Sequence, residues 1–332
     1  MDPISQGVVG ATLSASLSSK KNTRPAILIG FISALLADLD VLIRSSTDPI
    51  LVLEYHRHFS HSLAFVPIGA ILGTILSLIY WRRALSFGQR FKFAALGYLT
   101  AAPLDACTSY GTHLLWPFSE YRSAWHLISI VDPVFTLTIL ALVLSCYILR
   151  KSILAKTALL FGLAYLCFGA YQRDQALAVS KNLASERELE VLRYSTKPSL
   201  GNLFLWRSTL ETETEFWIDA IRVMPSKTSK VFEGGVISKV NPETDFPDLG
   251  SNSTLKKDIK RFAFFSDNYL AWHPSVPETL GDIRYAMLPN SLEPLWGITL
   301  DRKNPSNHVR MSHFRNSGSE KLQVLIDMIF KD

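Results

Sequence analysis

Long apolar segments in the first half of the chain constrain its fold more than any other feature. Residues 26–171 are strongly apolar, whereas residues 172–332 have the composition of an ordinary soluble domain. Stretches of about 17–25 apolar residues are long enough to cross a bilayer as helices. We predict a multi-pass α-helical membrane domain of about five helices, followed by a small α+β domain. The predicted spans are residues 26–43, 63–81, 93–115, 127–149 and 153–171.

The distribution of basic residues predicts how these spans are oriented, because Lys and Arg collect in cytoplasmic loops. One set of connections carries Lys20, Lys21, Arg24, Arg82, Arg83, Arg90, Lys92, Arg150, Lys151 and Lys156. The opposite set carries only Arg44, Arg57 and Arg122. We therefore expect a cytoplasmic N-terminal segment (1–25), a membrane domain (26–171) and an extracytoplasmic domain (172–332).

Within the last domain, alternating apolar residues between Gly, Pro, Asn and Asp turns predict short strands. These strands are residues 203–206, 215–222, 230–240, 262–265 and 297–301, with a long polar loop at 241–258. Helical patterns cover 172–192 and 319–330. The net charge of +5 comes mainly from basic residues at the ends of apolar segments, so no nucleic-acid partner is expected. The three cysteines show no disulfide or metal-binding spacing.

Polar residues interrupt the apolar half at four places. They are Asp38 with Asp40, the run from His56 to His61, Asp105, and Asp132. A carboxylate near the bilayer centre costs about 2.5–3.5 kcal/mol, so such groups usually face a bundle interior and have a partner. The predicted topology puts all four places near the same face of the membrane. We infer that they form one site.

Imidazole and carboxylate groups together suit a divalent cation; zinc is favoured here, with manganese and iron as alternatives. The predicted metal ligands are Asp38, Asp40, His56, His61 and Asp105. Asp38 is expected to bind the metal, and Asp40 either binds it as well or orients a histidine. Asp132 and His58 are candidates for catalysis, and Arg57, Arg122 and His113 for substrate binding.

Structural roles compete with these functional ones. Histidines such as His58 and His113 often lie at a membrane interface, and Asp132 before Pro133 is a favourable helix N-terminus. Asp38 and Asp40 also suit the lining of an ion path.

These same residues carry a resemblance to a known family. Asp38-Leu39-Asp40 is similar to the family's aspartate pair. Residues 56–62 are similar to its HRGxTHS signature, and residues 105–112 are similar to its LLDxxTxYGT stretch. Further similarities lie at 1–7, 116–119 with Arg122, 130–133, 206–207 and 282–284. Together these motifs resemble the LexA-binding, inner-membrane-associated metal-dependent hydrolases of bacteria, in the long-chain subgroup with an exterior domain. The resemblance implies a location in the bacterial inner membrane.

The chain departs from the family's motifs at four positions. His58 stands where Gly is usual, Ala101 where the family often has His, and His113 where Gln is usual. Ser5-Gln6 stands where the wider family often has Thr-His.

Three functions remain as hypotheses. The first is metal-assisted hydrolysis of an ester or phosphoester, with a lipid-linked substrate because the site lies near the bilayer surface. The second is a non-catalytic membrane interaction protein that holds a structural metal or polar cluster. The third is an ion or proton carrier, which fits less well because the cytoplasmic half of the spans lacks carboxylates.

Overall fold

The chain divides by contact into two compact units. The computed structural model describes residues 1–80, 85–225, 227–314 and 318–331. The first unit comprises Met1–Ile43, Tyr55–Tyr171 and Leu200–Asn202, and the second comprises Arg44–Glu54, Gln172–Ser199 and Leu203–Asp332. Trp81, Arg82 and Arg83, which entered the predicted spans and topology, lie outside the described residues.

The first unit is helical. Its α-helices are α1 (Pro3–Ser16), α2 (Thr23–Leu35), α4 (Val66–Tyr80), α5 (Phe87–Leu99), α6 (Ala101–Ala106) and α7 (Pro133–Leu149). Helix α3 (Leu51–Tyr55) and the 35-residue helix α8 (Ser152–Glu186) each extend across the boundary of the two units. Four 3₁₀ turns complete the pattern, at Lys20–Asn22, Ala37–Leu42, Phe59–His61 and Leu63–Phe65.

The number of helices able to cross a membrane is smaller than predicted. Two described helical stretches are long and apolar enough, Lys20–Leu42 and Ser152–Glu186, and a third results if the bent pair Leu51–His61 and Leu63–Ile79 is one span. The expectation of about five spans is not supported. Predicted span 93–115 instead contains the ends of two short helices and a loop, because α5 stops at Leu99 and α6 at Ala106. Predicted span 127–149 contributes only the 17 helical residues of α7.

Small residues allow the first helices to pack very closely. A Cβ atom added to Gly10 would lie 2.7 Å from the carbonyl oxygen of Gly30, and one added to Gly97 would lie 2.4 Å from that same oxygen. Helices α1, α2 and α5 therefore meet backbone to backbone, as small residues permit in membrane bundles. Since α1 is mostly buried there, residues 1–25 belong to the same compact unit as the apolar segments.

This packing predicts that Gly97→Ala destabilises the first unit while Gly88→Ala does not. The added methyl at position 97 meets backbone atoms of Gly30, which cannot rotate away, so we expect a loss of about 1–3 kcal/mol. Gly88 lies in the same helix with nothing within 4 Å of the added atom. Thermal unfolding of the detergent-purified chain measures both; equal melting temperatures would contradict the close approach.

The second unit contains two antiparallel four-stranded sheets. The first has the order β1-β2-β3-β4 and the second β5-β6-β7-β8. The strands are β1 (Arg193–Pro198), β2 (Leu205–Glu211), β3 (Glu215–Arg222), β4 (Lys230–Ser238), β5 (Leu270–Trp272), β6 (Thr279–Asp282), β7 (Trp296–Thr299) and β8 (Arg310–His313). Helices α9 (Thr254–Phe265) and α10 (Ser319–Phe330) accompany them.

One predicted strand of this unit is helical. Residues 262–265 form the last turn of α9, and the helix begins inside the predicted polar loop. Leu255, Ile259 and Phe262 are fully buried at helical spacing, and the Ser253 side chain accepts a hydrogen bond from the Lys256 amide at the N-terminus. The predictions of a loop over 241–258 and a strand over 262–265 divided this amphipathic pattern between two elements, so the helix was missed.

Residues 206–207 and 282–284, which carry family similarities in the second unit, contact each other. The Arg207 guanidinium donates to the Ile283 carbonyl oxygen from Nε (3.1 Å) and Nη2 (2.8 Å). Next to Ile283, Arg284 pairs with Asp282 at 2.7 Å. Arg207 is buried, so these bonds satisfy donors that would otherwise be costly. These residues therefore have a structural role, because Arg207 holds strand β2 against the segment that contains Ile283.

A segment far away in sequence completes this unit. Ile50, from Arg44–Glu54, is fully buried in the core formed by α9 and the second sheet. The Arg261 guanidinium of α9 binds Asp48 (2.9 Å), Glu54 (2.6 Å) and Asp258 (2.8 Å). Burial raises the pKa of Asp48, but the hydrogen bonds and charge of Arg261 outweigh it, so the pKa lies below its usual value.

This ion-pair group predicts a pH-dependent effect of Arg261→Met. At neutral pH the substitution leaves three carboxylates without their shared cation, at a cost of about 2 kcal/mol after allowance for partial exposure. A carboxyl whose pKa is lowered by folding adds stability above its unfolded pKa and loses it as the pH falls through the folded value. The difference in melting temperature from the wild type should therefore shrink below about pH 4. Arg310→Met, at an exposed position of β8, is the control; a difference independent of pH would contradict the assignment.

Candidate functional site

The aspartate pair lies on a 3₁₀ turn, not on a continuous α-helix. Helix α2 ends at Leu35, and Ala37–Leu42 follows as a 3₁₀ turn. The change of helical type places both carboxylates against one imidazole. Asp38 Oδ1 lies 3.3 Å from Nε2 of His61, and Asp40 Oδ2 lies 3.1 Å from Nδ1 of the same ring.

His61 is the centre of the site. Its side chain is fully buried on the 3₁₀ turn Phe59–His61, and its Nε2 also lies 3.0 Å from Oδ2 of Asp105. One imidazole thus contacts three carboxylates, those of Asp38, Asp40 and Asp105. Because ionised groups are costly to bury, this arrangement demands positive charge.

Asp40 holds the polypeptide around the histidine run. It accepts hydrogen bonds from the Arg57 amide (2.8 Å) and the Ser60 hydroxyl (2.7 Å), and it lies 3.0 Å from Nδ1 of His56. Arg57 adopts a positive φ of 61°, a left-handed backbone conformation that is uncommon for a residue other than glycine. Asp40 therefore orients His61 instead of competing for its Nε2, which is one of the two roles predicted for the pair.

Asp105, on α6, is fully buried and is contacted by an ion-pair partner and by two hydrogen-bond donors. Arg57 Nε lies 3.2 Å from its Oδ2, and Gln6 Nε2 donates to the same oxygen at 3.1 Å. The amino group of Met1 contacts its Oδ1. Arg57 also donates from Nη1 to Thr108 at 2.9 Å. The Arg57 side chain is therefore engaged within the site, where it offsets part of the negative charge.

Gln6 reaches the site from α1 and leaves one atom without a partner. Its Nε2 lies 3.1 Å from Asp105 and 3.5 Å from Nε2 of His61, while its buried Oε1 has no hydrogen-bond partner among the described residues. A buried unpaired oxygen beside carboxylates and an imidazole is suited to a cation.

The geometry of Asp38, His61 and Asp105 fits a divalent metal ion. Each residue offers one ligand atom, and these atoms lie within 4.8 Å of one another. Ligand atoms bound at about 2.0–2.2 Å in tetrahedral or octahedral arrangement are separated by about 3.0–3.5 Å along the polyhedron edges. The distances of 3.0 and 3.3 Å from His61 Nε2 to the two carboxylates lie in or near this range.

The other predicted residues make different contacts. His56 contacts Asp40 and has a 25% exposed side chain. His58 and His113 stack near each other with ring centroids 4.6 Å apart. Arg122 Nη2 donates to the carbonyl oxygen of Tyr110 at 3.0 Å. Asp132 caps α7 and accepts from the Tyr165 hydroxyl at 2.9 Å, which corresponds to the structural role considered for it.

Three contributors were not predicted from the sequence. In the sequence, Gln6 was identified only as a departure from the Thr-His motif of the family. Its position in that motif was the sequence signal that could have assigned it to the site. Ser60 and Tyr98 support the loop, since the Tyr98 hydroxyl donates to the Ser60 carbonyl at 2.7 Å. Neither residue has a sequence spacing that would reveal this contact.

Comparison with protein families adds a further observation. The family model described as YdjM inner membrane protein matches residues 1–176, more than half of the chain. The chain belongs to this family. The match contains every residue of the site, and together with the apolar helices it indicates membrane association. Comparisons with curated proteins and with solved structures gave no match.

The position of Asp40 predicts that Asp40→Asn weakens metal binding without removing a ligand atom of the group. The substitution exchanges a charged acceptor at His61 Nδ1 for a neutral amide, and loss of such a supporting carboxylate typically lowers affinity about 10–100-fold. Competition of the purified protein with a zinc chelator measures this. Asp132→Asn removes a carboxylate from the same unit but outside the group, and an equal loss there would contradict the role of Asp40.

Proposed function

We propose that the protein is a membrane-bound, metal-dependent hydrolase that acts on an ester or phosphoester. The observation that carries this proposal is the convergence of Asp38, His61 and Asp105, with Asp40 orienting the imidazole. The motif resemblance to LexA-binding, inner-membrane-associated metal-dependent hydrolases supports the same activity. Zinc is the proposed cation, with manganese and iron as alternatives for the same nitrogen and oxygen donors.

Asp38, His61 and Asp105 would hold the cation, and Gln6 Oε1 would be a further oxygen donor. The cation, when bound, would polarise the ester or phosphoryl oxygen of the substrate. Arg57 balances the charge of Asp105 and keeps its carboxylate in place. Three carboxylates meet His61, and the positive charges of Arg57 and of the Met1 amino group face one of them, Asp105. A cation would supply the remaining positive charge.

His56 is the proposed proton carrier. Its Nδ1 is held by Asp40 at 3.0 Å, and its side chain is partly exposed, unlike that of His61. A carboxylate that holds one ring nitrogen fixes the orientation of the imidazole. The other nitrogen can then exchange a proton with water or the leaving group. His56 is therefore assigned to proton transfer in preference to metal ligation.

A lipid-linked substrate follows from the membrane association of the unit that contains the site. The site residues occupy turns at the ends of apolar helices, and ester and phosphoester linkages of lipids lie near the bilayer surface at that level. We further propose a multi-pass arrangement with an extracytoplasmic second unit. Three spans, like five, place the two ends of the chain on opposite sides, and the basic residues favour a cytoplasmic first side.

A non-catalytic membrane interaction protein is the alternative, and one observation favours it. Arg57 lies 3.2 Å from Asp105, and donors from Gln6 and Met1 also surround this carboxylate. The polar group is thus partly balanced by residues of the chain itself. In this alternative the group holds the turns together as a structural network.

The two functions differ in metal content and turnover. We expect purified wild-type protein to contain one equivalent of metal more than His61→Ala, and to cleave a soluble phosphoester or a phospholipid in mixed micelles. His61→Ala should lose at least about 100-fold in activity, because it removes the only nitrogen ligand of the group. Elemental analysis and product assays measure these effects.

His313→Ala, on strand β8 of the second unit, is the matched control and should retain both properties. Equal metal content in wild type and His61→Ala, with no cleavage of either substrate, would favour the structural alternative. Cleavage of the soluble phosphoester alone would exclude the lipid-linked substrate.

A further inference from the structure

Two histidines from distant parts of the sequence meet outside the site described above. The rings of His58 and His113 have centroids 4.6 Å apart at an interplanar angle of 57°. The His113 amide donates to the Arg57 carbonyl oxygen at 3.1 Å, which fixes the two segments to each other.

A carboxylate faces the same two rings. Glu120 Oε2 lies 4.0 Å from Nε2 of His58, and one ligand atom from each of His58, His113 and Glu120 lies within 4.8 Å of the others. A separation of 4.0 Å is too long for a hydrogen bond. It is compatible with an ion between the two atoms at bonds of about 2.0–2.2 Å each.

His113 supplies a second, independent sign of a missing ligand. Its side chain is 3% exposed, and its Nδ1 has no hydrogen-bond partner within the described parts of the chain. Burying an imidazole nitrogen in this way costs free energy unless something binds there. Glu120, by contrast, is 74% exposed, so a cation can enter from solvent on that side.

We propose that His58, His113 and Glu120 form a second binding site, specific for a divalent transition-metal ion. Two imidazoles and one carboxylate suit zinc, copper(II), nickel(II) or iron(II), whereas calcium and magnesium prefer oxygen ligands alone. The ring of Trp116 lies 5.6 Å from that of His58 and covers one side of the site. This site shares no ligand with Asp38, His61 and Asp105.

A third group of similar composition differs in charge. Asp48, Asp258 and His308 also offer atoms within 4.8 Å of one another. There, Arg261 already donates to Asp48 at 2.9 Å and to Asp258 at 2.8 Å. The guanidinium supplies the positive charge that a metal would bring. At the His58 group, Glu120 Oε2 faces Nε2 of His58 at 4.0 Å.

The test uses the full chain in detergent with His61→Ala as background, so that the first site is disabled. Metal-free protein is equilibrated with Co²⁺, and bound metal is measured by elemental analysis and visible absorption. We expect one equivalent in His61→Ala and none in His61→Ala/His58→Asn. Glu120→Gln, at an exposed position that leaves folding intact, should weaken binding at least about 10-fold.

His313→Asn in the same background is the control and should bind one equivalent. Retention of full Co²⁺ binding in both the His58→Asn and Glu120→Gln variants would overturn the proposal. If the first site binds no metal, wild type and His61→Ala will bind equal amounts of Co²⁺. The comparison of His61→Ala with His61→Ala/His58→Asn still tests the second site in that case.

Discussion

The buried negative charge around His61 is the constraint on which the first unit depends. Asp38, Asp40 and Asp105 approach one imidazole in a region with little exposure to water. Such charges must be balanced, and here Arg57 supplies part of the balance while a divalent cation is proposed to supply the rest. The same constraint explains the local backbone, because 3₁₀ turns at Ala37–Leu42 and Phe59–His61 aim the polar groups inward.

Close helix packing makes this polar centre possible. Gly10, Gly30 and Gly97 let α1, α2 and α5 approach until their backbones touch, and α1 then brings Gln6 beside Asp105. Larger residues at these positions would hold α1 away from the bundle. These glycines therefore affect the site indirectly, because they set the distance between the helices.

The segment between Asp40 and His56 belongs to the second unit. The segment Arg44–Glu54 follows the turn that carries Asp40 and precedes the run that carries His56, yet it packs in the second unit through Ile50. The ion pairs of Arg261 with Asp48 and Glu54 secure this segment.

The sequence by itself determined the apolar first half and singled out Asp38, Asp40, His61 and Asp105, which meet in the structure. Charged residues within apolar segments are recognisable in a sequence because they are costly to bury. It also predicted β3 and α10 at their observed bounds, since their apolar patterns are regular. Only the tertiary structure decided that Asp40 orients His61, that Gln6 joins the site and that His58 meets His113. These contacts join residues up to about one hundred positions apart, and they depend on helix ends and turns that no local pattern specifies.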